Sequence, residues 1–122
     1  MKKIGIIGGA GFLGTSLRRR LSDIDVESKC FDLNCPNDSV NHLDVSVPID
    51  SSRFDGLDSI VNLAAEHRDD VRPKSRYDQV NVEGARNVCN MAIEKGVQKI
   101  VFTSSVAIYG FAPVDTDESG EP

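Results

Sequence analysis

A parallel α/β sheet covered by helices on both faces is the architecture this sequence predicts, and three observations predict it. Short apolar runs alternate with longer stretches of helical period. The runs are hydrophobic at consecutive positions rather than at every second one, which marks strands buried on both faces. A glycine cluster, Gly8-Gly9-Ala10-Gly11-Phe12-Leu13-Gly14, joins the first run to the first helical stretch. Together they describe a doubly wound α/β sheet.

The elements follow in order. Lys3-Ile4-Gly5-Ile6-Ile7-Gly8 reads as the first strand. Leu13, Leu17 and Leu21 then recur at helical spacing, with Arg18, Arg19 and Arg20 turned mostly to water as a solvated basic face. Residues 26–31 form a second strand, 33–40 a polar loop, and 40–45 a short third strand. One or two helical turns are expected over 48–54, and a fourth strand over 59–65. A long helix spans 77–95, with Val82, Ala85, Val88 or Cys89, and Ala92 or Ile93 as its buried stripe. Gly96 stands where a left-handed C-terminal cap belongs, and Val97 supplies the apolar contact after it. Residues 99–105 form the fifth strand. The crossovers between the strands are expected to be right-handed.

The 122 residues bound one small domain, 1–122, with 111–122 as an acidic loop or tail. The net charge is −5, but residues 1–114 carry 14 basic and 15 acidic side chains, and Asp115, Asp117, Glu118 and Glu121 supply the rest. A nearly neutral body without a basic face argues against a nucleic-acid partner. No run of about 18 apolar residues exists to cross a membrane. The N-terminal apolar run is too short and glycine-broken for a signal peptide. Cys30, Cys35 and Cys89 are odd in number and lack CxxC spacing, which argues against disulfides and zinc and fits a reducing cytoplasm. Glu66-His67-Arg68-Asp69-Asp70 mixes charges and points alternate side chains apart, so a polar loop with its own ion pairs is expected, and no metal site. His42 reads as structural or exposed, and Cys89 as core. Ser104-Ser105 lacks the Gly-x-Ser-x-Gly surroundings of a hydrolase nucleophile.

The glycine cluster lies between a strand and a helix, where a phosphate-binding turn requires it. One glycine lets the chain leave the strand, a second lets a pyrophosphate approach the backbone, and a third lets the helix pack close. The anion then meets free N–H groups at the positive end of the helix dipole. The spacing reads as Gly9-x-Gly11-x-x-Gly14 or as Gly8-x-x-Gly11-x-x-Gly14. Asp32 lies 18 residues beyond Gly14, at the end of the second strand, where a carboxylate can accept both hydroxyls of an adenosine ribose. It would repel a 2′-phosphate, and Leu33-Asn34-Cys35 offers no arginine for one, so NAD is favoured over NADP.

With these residues placed, the whole chain resembles the extended short-chain dehydrogenase/reductase family, in particular its NAD-dependent nucleotide-sugar epimerases and dehydratases. The fold implied is a Rossmann-type sheet of five parallel strands in the order 3-2-1-4-5, with the apolar Ile100-Val101-Phe102 on an open edge that invites association. The family's Thr-Gly-x-x-Gly-x-x-Gly falls on Ile7, Gly8, Gly11 and Gly14, and its acidic residue on Asp32. Its Asp-Val pair near the adenine falls on Asp44-Val45, and its His-Leu-Ala-Ala on Asn62-Leu63-Ala64-Ala65. Its helix asparagine falls on Asn81. Phe102-Thr103-Ser104-Ser105-Val106-Ala107-Ile108-Tyr109-Gly110 looks like the family's Ser-Ser-x-x-x-Tyr-Gly segment. The resemblance implies cofactor contacts from Gly8, Gly11, Phe12, Leu13, Gly14, Asp32, Leu33, Asp44, Val45, Leu63, Ala64, Ala65, Asn81, Thr103 and Ser104. Ser105 takes the part of the catalytic serine.

In such enzymes NAD takes a hydride from a sugar carbon, a Tyr-x-x-x-Lys pair supplies the base, and the serine binds the same sugar oxygen. Tyr77 is followed four residues on by Asn81 and Tyr109 by Pro113, so the pair is missing. The chain is therefore expected to be the N-terminal part of a longer enzyme, truncated before the remaining strands and the substrate domain, and inactive alone. Its substrate would be a nucleotide sugar and its state a homo-oligomer. Two alternatives remain: a reductase or dehydrogenase of a non-sugar or steroid-like substrate, and a non-catalytic NAD-binding sensor.

Overall fold

Five strands lie parallel in one sheet of order β3-β2-β1-β4-β5 in the computed structural model, which describes residues 2–64, 78–104 and 113–120. They are β1 (Lys3–Ile7), β2 (Glu27–Asp32), β3 (Val40–His42), β4 (Ser59–Asn62) and β5 (Lys99–Phe102). Helix α1 (Phe12–Asp23) links β1 to β2, a 3-10 turn (Ser51–Phe54) precedes β4, and α2 (Gly84–Lys95) precedes β5. The predicted strand order and parallel sense are those observed.

β1 lies at the centre because it is apolar at successive positions: Ile6 is flanked by Cys30 on one side and Val61 on the other. The main core sits between the sheet and α2. Ile7, Phe31, Phe54, Ile60, Val88 and Met91 are all at most 1% exposed. Phe31 and Phe54 stack with ring centroids 4.4 Å apart, a geometry that adds about 0.5–1.5 kcal/mol beyond burial.

Both helices end in the same paired hydrogen bonds. At α2, Gly96 is left-handed (φ 67°), Val97 N–H donates to Ala92 O, and Gly96 N–H donates to Ile93 O, as the glycine predicts. At α1 the left-handed residue is Asp25 (φ 58°), with Val26 N–H on Leu21 O and Asp25 N–H on Ser22 O. No glycine signals that stop, yet it delivers the chain directly into β2.

Several expectations need correction. The strand boundaries move: β2 reaches Asp32, β3 stops at His42, β4 at Asn62 and β5 at Phe102. Within the predicted long helix, Asp78–Glu83 is a wider π-helical turn. That turn shifts the phase, so Val80 is buried and Val82 exposed. The buried stripe of α2 is Gly84, Val88, Met91 and Ala92. Ile93 is 80% exposed, and Cys89 is only half-buried. On α1 only Leu21 and Gly14 are buried, while Leu13 faces solvent beside the glycine turn. Arg18 is half-buried and donates to Ser39 Oγ (2.9 Å), tying α1 to the loop after β2.

Among the described residues β5 pairs only with β4, and Val101 and Phe102 are 46% and 45% exposed. An apolar parallel edge of this kind recruits further strands. We therefore expect concentration-dependent association in sedimentation velocity over a roughly hundredfold concentration range, reduced by Val101→Lys. A monomer throughout that range would remove the edge as an association surface.

Candidate cofactor site

The carboxyl ends of β1, β2 and β4 converge on the glycine cluster. Gly8 leaves β1 with φ 81°, a conformation that excludes most side chains. A Cβ there would also lie 2.7 Å from Ala64 N. The N–H groups of Gly8 and Gly9 both donate to Phe31 O, at 2.8 and 3.2 Å. Gly9 rests against Cys30 Sγ, and Gly14 against the Gly9 backbone, with Gly8 O at 2.7 Å from where its Cβ would stand. Each of these three glycines is required by the protein's own packing.

Gly11 is different. Its backbone is extended (φ −76°, ψ −177°), and among the described residues an added Cβ would meet only Gly8 O, at an ordinary 3.6 Å. Nothing among the described residues needs a glycine here. Gly11 is also the N-cap of α1, and no side chain caps that helix or puts an acid in its first turn. The first N–H groups of a helix have no intrahelical partners, so those of Phe12, Leu13 and Gly14 belong to the positive end of the α1 dipole. Both spacings read from the sequence are thus needed: Gly9 is a packing glycine, and Gly11 the open one.

Asp32 faces this turn. Its Oδ2 accepts from Ala10 N–H (2.9 Å), and its Oδ1 from Asn34 N–H (2.9 Å). Each carboxylate oxygen has a second lone pair, so further donors can be accepted without breaking these bonds. Cys30, buried beneath Gly9, has its thiol pKa pushed up by desolvation, which keeps it protonated and unreactive.

The other expected residues fall around this centre. Phe12, Leu13 and Leu33 form an exposed apolar rim, at 87%, 59% and 51% exposure. Leu43 N–H donates to Asp32 O (2.9 Å), which sets Asp44 and Val45 beside Asp32. Asp44 is half-buried, and its Oδ1 accepts from Ser46 N–H and Oγ. Val45 is buried in the core, so only its backbone can meet a ligand. Leu63 N–H donates to Ile7 O (2.7 Å), and Ala64 N–H to Asn62 Oδ1 (3.1 Å). Asn81 is exposed on the π-helical turn, and Thr103 and Ser104 are exposed beyond β5. Ala65 and Ser105 lie outside the described residues, as do Glu66, His67, Tyr77 and Tyr109.

Sequence reading missed the Ala10 N–H, since a main-chain donor leaves no residue signature. It also missed Asn87, whose Nδ2 donates to Val45 O (2.8 Å). The available signal was a polar residue next to Val88 on the buried side of α2.

Residues 4–122 match the NAD dependent epimerase/dehydratase family, and the chain belongs to it. It is 39% identical over 119 residues to N-acetyl-alpha-D-glucosaminyl-diphospho-ditrans,octacis-undecaprenol 4-epimerase of Escherichia coli O157:H7, across 93% of this chain and 35% of that protein. It is 31% identical over 120 residues to the decarboxylating sterol-4-alpha-carboxylate 3-dehydrogenase of Saccharomyces cerevisiae, across 84% of this chain and 34% of the relative. The chain thus spans about a third of the length of these relatives. The crystal structure of a UDP-galactose 4-epimerase superposes with TM-score 0.73 at 29% identity, covering 93% of this chain and 41% of that one. NAD, which the open turn and its carboxylate fit, is the cofactor of the family.

The glycines should separate by experiment. Gly14→Ala forces backbone against backbone and is expected to lower stability by about 1–3 kcal/mol in denaturant titrations. Gly11→Ser has room, and its hydroxyl can cap α1, so it should be as stable as the parent or more so, by about a few tenths of a kcal/mol.

Proposed function

We propose that this chain is the NAD-binding portion of an enzyme that epimerises or dehydrates a sugar carried on a nucleoside diphosphate. The NAD-binding part of this reading is carried by Gly11, a glycine that no contact among the described residues requires, in front of a helix without a side-chain cap and next to the residue bound by a carboxylate, and its epimerase or dehydratase part is supported by the family match. The N–H groups of Phe12, Leu13 and Gly14 receive the pyrophosphate. Asp32 accepts the adenosine ribose hydroxyls and disfavours a 2′-phosphate. Leu33 and Asp44-Val45 flank the adenine. Leu63, Ala64 and Ala65 leave room for the middle of the dinucleotide, and Asn81, Thr103 and Ser104 line the remainder.

Bound NAD supplies the hydride acceptor for a sugar carbon. Ser105 hydrogen-bonds the oxygen of that carbon and orients it. No tyrosine in these 122 residues has a lysine four positions on, so the chain alone is expected to bind without turnover. The reading includes a homo-oligomeric enzyme, and three cysteines, odd in number and without CxxC spacing, support a reducing cytoplasm.

A second reading, oxidation of a non-sugar alcohol, is favoured by the sterol dehydrogenase relative. A substrate screen of the enzyme that carries this sequence, with nucleotide sugars, polyprenyl-diphospho sugars and sterols as separate arms, decides between them.

Calorimetric titration tests the cofactor site. Gly11→Val should abolish NAD binding, and Gly11→Ser should weaken it despite its stability. Asp32→Ala should weaken NAD about tenfold or more, through loss of charge-assisted hydrogen bonds worth about 1.5–3 kcal/mol each, and should relax the exclusion of NADP. Unchanged titrations for Gly11→Val and Asp32→Ala together would remove the basis of the assignment.

A further inference from the structure

The segment after β3 is held at two points. Leu43 N–H is bound to Asp32 O at 2.9 Å, and Val45 O is bound by Asn87 Nδ2 of α2 at 2.8 Å. Between them, Ser46 closes on Asp44 Oδ1 through both its N–H (2.9 Å) and its hydroxyl (2.6 Å). The Val45 side chain fits the notch of Gly84, where a Cβ would stand 2.8 Å from Val45 Cγ2. Gly84 and Asn87 are neighbours on one helix face at a spacing of three. One face of α2 therefore grips residue 45 by both its side chain and its carbonyl.

We infer that Asn87 is a positioning residue for recognition of the cofactor's purine. A ribose on Asp32 leaves its base one glycosidic bond away, and the loop tied to Asp32 through Leu43 is the segment that base meets. Val45 is fully committed to the core, so the course of the backbone on either side of it depends on what holds its carbonyl, which is the carbonyl of the Val45–Ser46 peptide. That holder is Asn87, half-buried on α2. Without its N–H, the Val45 carbonyl loses its partner, and a loop with an orphaned carbonyl rearranges to find another. The inference rests on the cofactor assignment of the preceding subsection and adds to it the helix that sets the base preference.

The test compares NAD with nicotinamide hypoxanthine dinucleotide, in which the purine 6-amino donor is replaced by an acceptor oxygen. Asn87→Asp keeps the shape of the side chain and removes the N–H donor; Asn87→Ala removes both. Both variants should raise the NAD dissociation constant about tenfold and leave that of the hypoxanthine analogue within about twofold, so that the base preference collapses. Equal weakening of both dinucleotides would mean a general structural role and overturn the inference, as would an unchanged preference. A second measurement needs no variant: on titration with AMP, the side-chain amide resonances of Asn87 should shift with the backbone of residues 44 and 45. Saturation with AMP without such a shift would overturn the inference while leaving the cofactor assignment intact. Failure of the parent protein to bind NAD at all would overturn both.

Discussion

The hydrogen bond from Ala10 N–H to the Asp32 carboxylate is the contact on which the rest of the site depends. It joins the turn after β1 to the end of β2, two points 22 residues apart in sequence. The N–H groups of Gly8 and Gly9 on Phe31 O reinforce the same junction one residue earlier. The turn in front of α1 is thereby tied to the carboxylate at the residue just before Gly11. A carboxylate beside a helix N-terminus is itself favourable, so the arrangement stabilises the fold.

Behind the turn, packing leaves little freedom. Cys30 lies under Gly9, and Gly14 lies against Gly9 and Gly8. The stacked Phe31 and Phe54 fill the layer beneath, on the same strand residue whose carbonyl receives the turn. Displacement of the glycine turn would therefore disturb β2 and the core together. On the far side of Asp32, α2 holds the loop after β3 through Gly84 and Asn87. The two halves of the site are built on opposite neighbours of one strand.

Membership of the NAD-dependent epimerase/dehydratase family accords with this arrangement, because the described residues provide the means of holding a dinucleotide. The relatives differ in what they act on, one named for a sugar on a diphospho-polyprenol and one for a sterol carboxylate. That divergence follows from where substrate chemistry resides: a turn that cradles phosphates is indifferent to the molecule that gives up the hydride.

The parallel sheet and the position of the glycine turn were legible in the amino-acid pattern, and the family resemblance implied the strand order. Consecutive apolar residues, helical spacing and glycines at fixed intervals are local patterns with few structural solutions. Asp32 was legible for the same reason, standing at a set distance from the turn at a strand end. Tertiary packing alone settled which glycine has room for a side chain, since Gly8, Gly9, Gly11 and Gly14 look alike until Ala64, Cys30 and the neighbouring backbone are brought against three of them. It also decided the buried face of α2, where the wider turn at Asp78–Glu83 rotates the helix, and the grip of Asn87 on Val45. These depend on contacts between residues far apart in the chain, and a one-dimensional pattern does not carry them.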